Sequence, residues 1–462
     1  MKPVLLAVLV AAVVAADVTA QRRGRFNPQG GQQPAAPQPA AEAKKPDAPA
    51  GKPKKHLALV GGDVLLGTGA RMAGATVLIG DDKIVDVGHN LELPEGTEVI
   101  DVRGKTVSPG FIAVVGNGMG GGRGAPFIDS VNPFDPEIKQ ALAAGVTAFL
   151  CGSPAGGNAP GGDTAVLKLA YGEVAGMLCE EGAVVGMSVP LAPADMEKFS
   201  DLVKKAKEHR KALDEFTAKK ATDPNAKPPQ APQGAEKILK ILAGETRLWI
   251  QLRGGGGGGR RGGGGGMFGG GAAANDVDAI REAMKVADLL GTPVVLQRPT
   301  SAWMVPDEIA ATGSMVVLAP RDRVAPDPAS PDDTGTNLAS AAILAAAGVP
   351  VAVTQSSGLM GGAGVGTGGI LGQDLNTPHV DAAFAVRGGL DNAKALRTLT
   401  LDAARILGVE SRIGSIEAGK DADLLILDGD PLHYRTFVQT AIVNGKVVYE
   451  KAKEPLYSHI QR

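Results

Sequence analysis

Histidine is scarce in this sequence, at 6 in 462 residues, and the shortage excludes a class of chemistry. His56 and His459 stand near the ends, and His89 and His433 fall in strand-like terminal segments, leaving only His209 and His379 for the middle. A catalytic zinc usually takes three or so His or carboxylate side chains plus an open position, so no histidine-rich two-metal site can be assembled. Cysteine is scarcer still, at 2, which excludes a disulfide framework. Cys151 and Cys179 either pair in an oxidising compartment or sit as two buried thiols, and both readings stay open. The formal charge of -2 gives no electrostatic reason for a nucleic acid or an anionic membrane as partner. Aromatic residues make up 3% of the chain, too few to interleave with its basic residues as stacking platforms for single-stranded nucleic acid.

What is present begins with an export pattern. Met1-Lys2-Pro3 is a short basic start, residues 4–16 are apolar, and Val18-Thr19-Ala20 offers small residues before a cut at Gln21. The apolar run is too short for an ordinary membrane span, so 1–20 reads as a signal peptide of a periplasmic or extracellular protein, with no stable membrane insertion after cleavage. Residues 21–55 are rich in Pro, Ala, Gln and Lys and read as a disordered linker, because they cannot bury enough surface to offset their ordering entropy. The remainder, with 44% apolar residues in the whole chain, is long enough for a barrel and a satellite domain.

Residues 57–66, 75–87 and 97–107 carry Val, Ile and Leu between turn signals such as Gly80-Asp81-Asp82 and are expected to be strands. The pattern returns at 423–427 and 441–449, where Asn444-Gly445 is a hairpin turn, so the two ends are expected to build one composite β-sandwich domain from 56–108 and 408–450, followed by a tail at 451–462. Between them, short apolar runs at 146–151, 183–189, 248–252, 293–296, 315–318 and 350–354 fit strands buried on both faces. Val277, Ile280, Met284 and Ala287 mark a helix face, and 337–347 is an alanine-rich helix. This alternation predicts an α/β fold, a TIM-like (β/α)8 barrel over 109–407 with its functional face at the strand C-terminal ends. An open doubly wound sheet is the alternative, though no phosphate-binding glycine fingerprint follows the first strand.

Pro109-Gly110-Phe111-Ile112-Ala113-Val114-Val115-Gly116-Asn117 resembles the Pro-Gly-Phe-Ile-Asp-x-His-x-His signature of the amidohydrolase superfamily. Gly388-Gly389-Leu390 to Gly408 looks like the helix pair that closes such barrels, with Asp391 as an N-cap. The segment from Gly414-Ser415 through Gly419-Lys420-Asp421-Ala422-Asp423-Leu424 is close to the family's Gly-Ser-x-x-x-Gly-Lys-x-Ala-Asp-Leu turn. The imidazolonepropionase-like branch is the nearest resemblance. It implies a metal-dependent hydrolase barrel acting on carbon–nitrogen bonds other than peptide bonds, through a metal-activated water.

The residues at the positions this resemblance picks out do not supply that chemistry. Val115 stands where one metal histidine belongs and has no donor, while Asn117 replaces the other with a weak neutral ligand. Gln251 or Arg253 takes the fifth-strand histidine position, and Arg298 takes the sixth; a guanidinium repels a divalent cation and has no lone pair to give. Gln355 replaces the acid that would accept a proton from metal-bound water. Lys168, in an apolar frame, corresponds to a carboxylated lysine that bridges two metals in some relatives. His379 with Asp374 and Gln355 forms an alternative acid–base or single-metal site, and a capping or surface histidine is the bland reading.

Three glycine-rich runs, 116–124, 254–271 and 358–369, follow expected strand ends and read chiefly as flexible loops. A charged, Pro/Lys-rich insertion at 209–234 is expected to be solvated loop. The combined expectation is a pseudoenzyme without a cofactor that binds a small molecule or an envelope protein and no nucleic acid. Its rival is an active hydrolase of amide, lactam or dipeptide-like substrates, with zinc or another divalent metal in an altered mononuclear site around Lys168, His379 and nearby acids.

Overall fold

Aliphatic runs broken by Gly and Asp turns make the first folded segment a series of strands. The computed structural model describes residues 55–116, 127–220, 227–253, 275–331, 334–355 and 378–454, all within the unit Ala43–Arg462. The expected signal peptide, almost all of the expected linker, residues 455–462 of the tail, the glycine runs beyond Gly116, and with them Asn117, Asp374 and His459, lie outside the described residues. In chain order come β1 (His56–Leu65), β2 (Arg71–Gly80), β3 (Lys83–Gly88), β4 (Glu98–Asp101), β5 (Thr106–Pro109) and β6 (Phe111–Ala113). Then follow α1 (Pro136–Ala143), β7 (Val146–Ser153), β8 (Asp163–Lys168), β9 (Leu178–Glu181), β10 (Val184–Val189), α2 (Pro193–Lys220), α3 (Glu236–Ala243) and β11 (Arg247–Leu252). The next elements are α4 (Val277–Leu290), β12 (Val295–Gln297), α5 (Pro306–Ala311), β13 (Met315–Leu318), α6 (Ser340–Ala346) and β14 (Val351–Val353). The chain closes with α7 (Pro378–Arg387), α8 (Asn392–Leu399), α9 (Leu401–Leu407), β15 (Leu424–Leu427), β16 (Val438–Val443) and β17 (Lys446–Glu450).

Strands from both ends form one eight-stranded sheet, ordered β17-β16-β15-β5-β1-β2-β3 with β4 beside β1. The join is the antiparallel pairing of β5 with β15, Pro109 opposite Leu424. Asn444 and Gly445 take φ values of 51° and 71°, as a two-residue turn between β16 and β17 requires.

The middle differs from a closed ring of parallel strands. Among the described residues its ladders are two sheets, β6-β7-β8-β9 and the all-parallel β10-β11-β12-β13-β14. The reason lies in the 154–162 connection, which is too short to carry a crossover, so β8 returns antiparallel to β7. At that edge the Thr164 hydroxyl donates to Val184 O at 2.7 Å and accepts from Val184 N at 3.0 Å, replacing ladder bonds between the sheets. A single antiparallel bridge, Gly161 with Gly186, completes the joint. Gly186 is required there, because a Cβ would sit 1.4 Å from Pro154 O. At the other edge α8 and α9 each pack against both β14 and β6.

Side-chain alternation divides these strands into two faces. Ile112, Val114, Leu150, Val166, Trp249, Val295, Val317 and Ala352 form one buried cluster. Met187, Val189, Ile250, Leu296, Val316 and Val351 face the helices instead, where Ile280, Ala283, Val286 and Leu290 of α4 meet them. Asp391 caps α8 by accepting from Ala393 N at 2.8 Å, and Gly408, at φ 76°, ends α9. The 209–234 stretch is not wholly loop. The helix α2 runs on to Lys220 because Phe199, Val203, Ala206 and His209 are buried at spacings of three and four.

Candidate functional site

The C-terminal ends of the parallel strands bring together most of the positions that the sequence singled out. Val115 follows β6, Gln251 lies in β11 with Arg253 just beyond it, Arg298 follows β12 and Gln355 follows β14. Gln251 continues the face of Trp249, and its partner in register on β12 is Gln297, which continues the face of Val295. Ser188 on β10 stands on the other side of Gln251. Gln297 and Ser188 escape a linear reading, because only strand register places them beside Gln251. The signal available was alternation: two residues on from a buried Val295 comes Gln297, whereas the family frame drew attention to Arg298.

Hydrogen bonding at this rim is uneven. Ser188 donates to Gly156 O at 3.1 Å, and Arg253 Nη1 donates to Asn158 Oδ1 at 3.1 Å. Arg298 pairs with Asp322, at a backbone φ of 50°. Arg321 grips Asp381 with two bonds of 3.0 Å each, and Asp381 is wholly buried. No hydrogen bond joins the side-chain amides of Gln251, Gln297 or Gln355 to a described group, although Gln355 is only 7% exposed. Nearby, Asp276 accepts from Thr300 N and Ser301 N, each at 2.8 Å. Burial pushes that carboxyl above its ordinary range even so.

His379 opens α7 with its ring 6.4 Å from that of Phe111. Burial lowers its pKa to about 4, so it is neutral at physiological pH. Its proposed partner Asp374 lies outside the described residues.

Lys168 sits at the other end of the strands. It ends β8, opposite Ala148 near the start of β7, and is fully buried. Its Nζ lies 2.5 Å from Asp421 Oδ2 and 2.8 Å from Asp423 Oδ2, and donates to Asn444 Oδ1 at 2.8 Å. Arg412 joins Asp421 at 2.8 Å, and Lys83 also pairs with it. Burial opposes the ammonium charge, but Asp423 and Asp421 more than offset it and raise the lysine pKa. Burial likewise opposes the Asp421 charge, and Lys168, Lys83 and Arg412 together hold that carboxyl below its usual range. A lysine takes up carbon dioxide only as the free amine, and this one is held protonated. It is not brought together with Gln355 or Arg298.

The two cysteines form no disulfide and are buried. Cys151 packs in the cluster around Phe111 and Cys179 in the one around Trp249, with β8 between their strands. Burial pushes the Cys179 thiol up to about 11.

The fit of a divalent metal to the rim follows from the donors present. Among the described residues no group of three or more His, Cys, Asp or Glu is arranged to hold one. The strand ends present Val115, neutral amides and guanidinium groups, which make poor ligands or none. These residues do not fit a divalent metal.

Comparison with known proteins places this geometry. Residues 311–449 match the amidohydrolase family. A 5-methylthioadenosine/S-adenosylhomocysteine deaminase of Symbiobacterium thermophilum is 32% identical over 150 residues, 26% of this chain and 33% of the deaminase. The match thus spans about a third of that curated relative's length. The crystal structure of an amidohydrolase from Thermotoga maritima MSB8 superposes with a TM-score of 0.61 and 23% identity, over 86% of this chain and 100% of that one. At that identity the likeness speaks for the fold. Residues 311–449 are thus similar to the amidohydrolase family, and the α/β fold is similar to that of a solved amidohydrolase.

Proposed function

We propose that this is an exported, amidohydrolase-derived protein of the imidazolonepropionase-like branch that has lost metal-dependent hydrolysis and acts in binding or assembly. In this reading the two middle sheets are the halves of one metal-dependent-hydrolase barrel, and the terminal sheet is its composite β-sandwich companion. The observation that carries the proposal is the chemistry of the strand ends, where Gln251, Arg253, Arg298 and Gln355 occupy positions at which the family's reaction needs lone pairs and a base. Fold alone does not preserve an activity, which resides in such side chains. The partner class is a small molecule or an envelope protein that meets the rim.

The competing reading, an active mononuclear site that includes Lys168, draws no support from its ion pairs with Asp421 and Asp423. Metal analysis of the purified protein, combined with turnover assays on amide, lactam and dipeptide substrates, tests the proposal. Substoichiometric metal and no turnover are expected. Stoichiometric zinc or manganese together with turnover would sink it.

A further inference from the structure

We infer that the rim binds a small organic carboxylate, with Arg253 as its charge partner and the amides of Gln251 and Gln297 reading its body. This rests on the binding role proposed above. Gln251 and Gln297 are direct register partners on adjacent parallel strands, about 4.8 Å apart. The residues two before them, Trp249 and Val295, are fully buried in one cluster, so alternation points both amides along that same face toward the strand ends. Arg253 continues the row: its N–H donates to Val189 O at 2.7 Å, which carries the β10–β11 ladder one residue past β11.

Each amide in this row offers one acceptor and two donors, and none of that capacity is met by a described group. One layer below, the indole N–H of fully buried Trp249 also has no partner among the described residues. Gln251 and Gln297 are half-buried above a fully buried indole, and such adjacent unmet groups at the mouth of a strand layer point to an external partner.

Charge selects the kind of partner. Arg298 is matched by Asp322 and Arg321 by Asp381. Arg253 bonds to Asn158, a neutral group, and has no carboxylate partner among the described residues. One unmatched guanidinium above neutral amides suits a monoanion, and its planar fork matches a carboxylate in a bidentate way. A phosphate bearing two charges would ask for a second cation.

The test uses the full chain and succinamate, which carries one carboxylate and one amide, beside acetate, succinamide as the neutral analogue, and inorganic phosphate, all at constant ionic strength. Calorimetric binding and an upward thermal shift are expected with succinamate, a weaker response with acetate, and none with succinamide. Arg253→Gln should weaken succinamate binding at least tenfold, whereas Arg281→Gln on α4, which breaks a surface pair with Glu308 of α5, should leave it unchanged. Absence of binding by both carboxylates, equal binding of succinamide, a response to phosphate alone, or no effect of Arg253→Gln would overturn the inference. Metal content is measured on the same samples. Lost carboxylate binding in a metal-free, inactive protein refutes this inference alone, whereas metal with turnover refutes the proposal on which it rests.

Discussion

The two ends of the strand layer treat polar side chains in opposite ways. At the N-terminal end, Lys168, Asp421, Asp423, Arg412, Lys83 and Asn444 form one cluster in which every charge faces an opposite one or an amide. At the C-terminal end, Gln251, Gln297 and Gln355 face no described partner. Both sets are at least partly buried, so exposure does not explain the contrast. The first set joins the middle strands to the terminal sheet, because Asp421 and Asp423 lie just before β15 while Lys168 belongs to β8. The second joins nothing among the described residues. A charged cluster that closes on itself is architecture, and the row of amides is where the proposed ligand would bind.

The largest effect that could break this comparison belongs to Lys168. Lys168→Met should destabilise the fold by about 3–5 kcal/mol in urea unfolding, because it leaves Asp421 and Asp423 buried without their shared cation. The pH dependence has a definite sign. Asp421, held below its ordinary 3.8, contributes stability that is present above that value and is lost as pH falls through the lowered pKa. Lys168, held above its ordinary 10.5, contributes stability that is present below that value and is lost as pH rises through the raised one. At neutral pH the cluster is therefore fully effective. A loss under 1 kcal/mol on Lys168→Met would place the cluster outside the architecture.

Next in size is Gly186→Ala, where the new Cβ would meet Pro154 O at 1.4 Å. The loop that substitutes for a strand between the two middle sheets must then move, at a cost of about 1–3 kcal/mol. Hydrogen exchange should show faster opening at Gly161 and Thr164, and unchanged protection there would show that the seam does not depend on the bridge.

How much of this was legible in the sequence follows the range of the interactions. Strands such as β7, β10 and β13 are written in contiguous aliphatic runs, and the caps at Asp391 and Gly408 in single residues, so each could be read locally. The extent of α2 is hidden in the sequence because the Lys and Pro content after His209 masks a buried stripe at Phe199, Val203, Ala206 and His209. The direction of β8 depends on the 154–162 connection, whose length falls short of what a crossover needs. Lys168 was noticed for its apolar frame, but its partner Asp421 is 253 residues away in sequence, and nothing local announces that pairing. At the rim, Gln251, Arg253, Arg298 and Gln355 were visible one by one. Gln297 became part of the set only through register with Gln251.

A smaller effect concerns His379. Its pKa falls from the ordinary 6.5 to about 4 through burial, so as pH drops the unfolded chain takes up the proton first. Stability should therefore decline between roughly pH 6.5 and 4, where the unfolded state binds more protons. His379→Gln should flatten that part of the curve in urea midpoints measured across the range. An unchanged slope would mean that another group carries it, and would remove the reason for treating His379 as a neutral packing residue.

The smallest expected effect is the most telling for the rim. Gln297→Leu keeps the side-chain volume close and removes an amide that bonds to no described group, so the stability change should stay within about 0.5 kcal/mol in either direction. Replacing a partnered amide would behave differently, since leaving its partner unmatched costs about 1–3 kcal/mol. Run beside Lys168→Met, the substitution compares the two ends directly, one closed within the chain and one left open. A loss above about 1.5 kcal/mol would show that Gln297 is already satisfied by the protein, because only a broken internal hydrogen bond costs that much at a half-buried site. If stability is kept and succinamate binding falls, the amide is spent on a ligand and not on the fold.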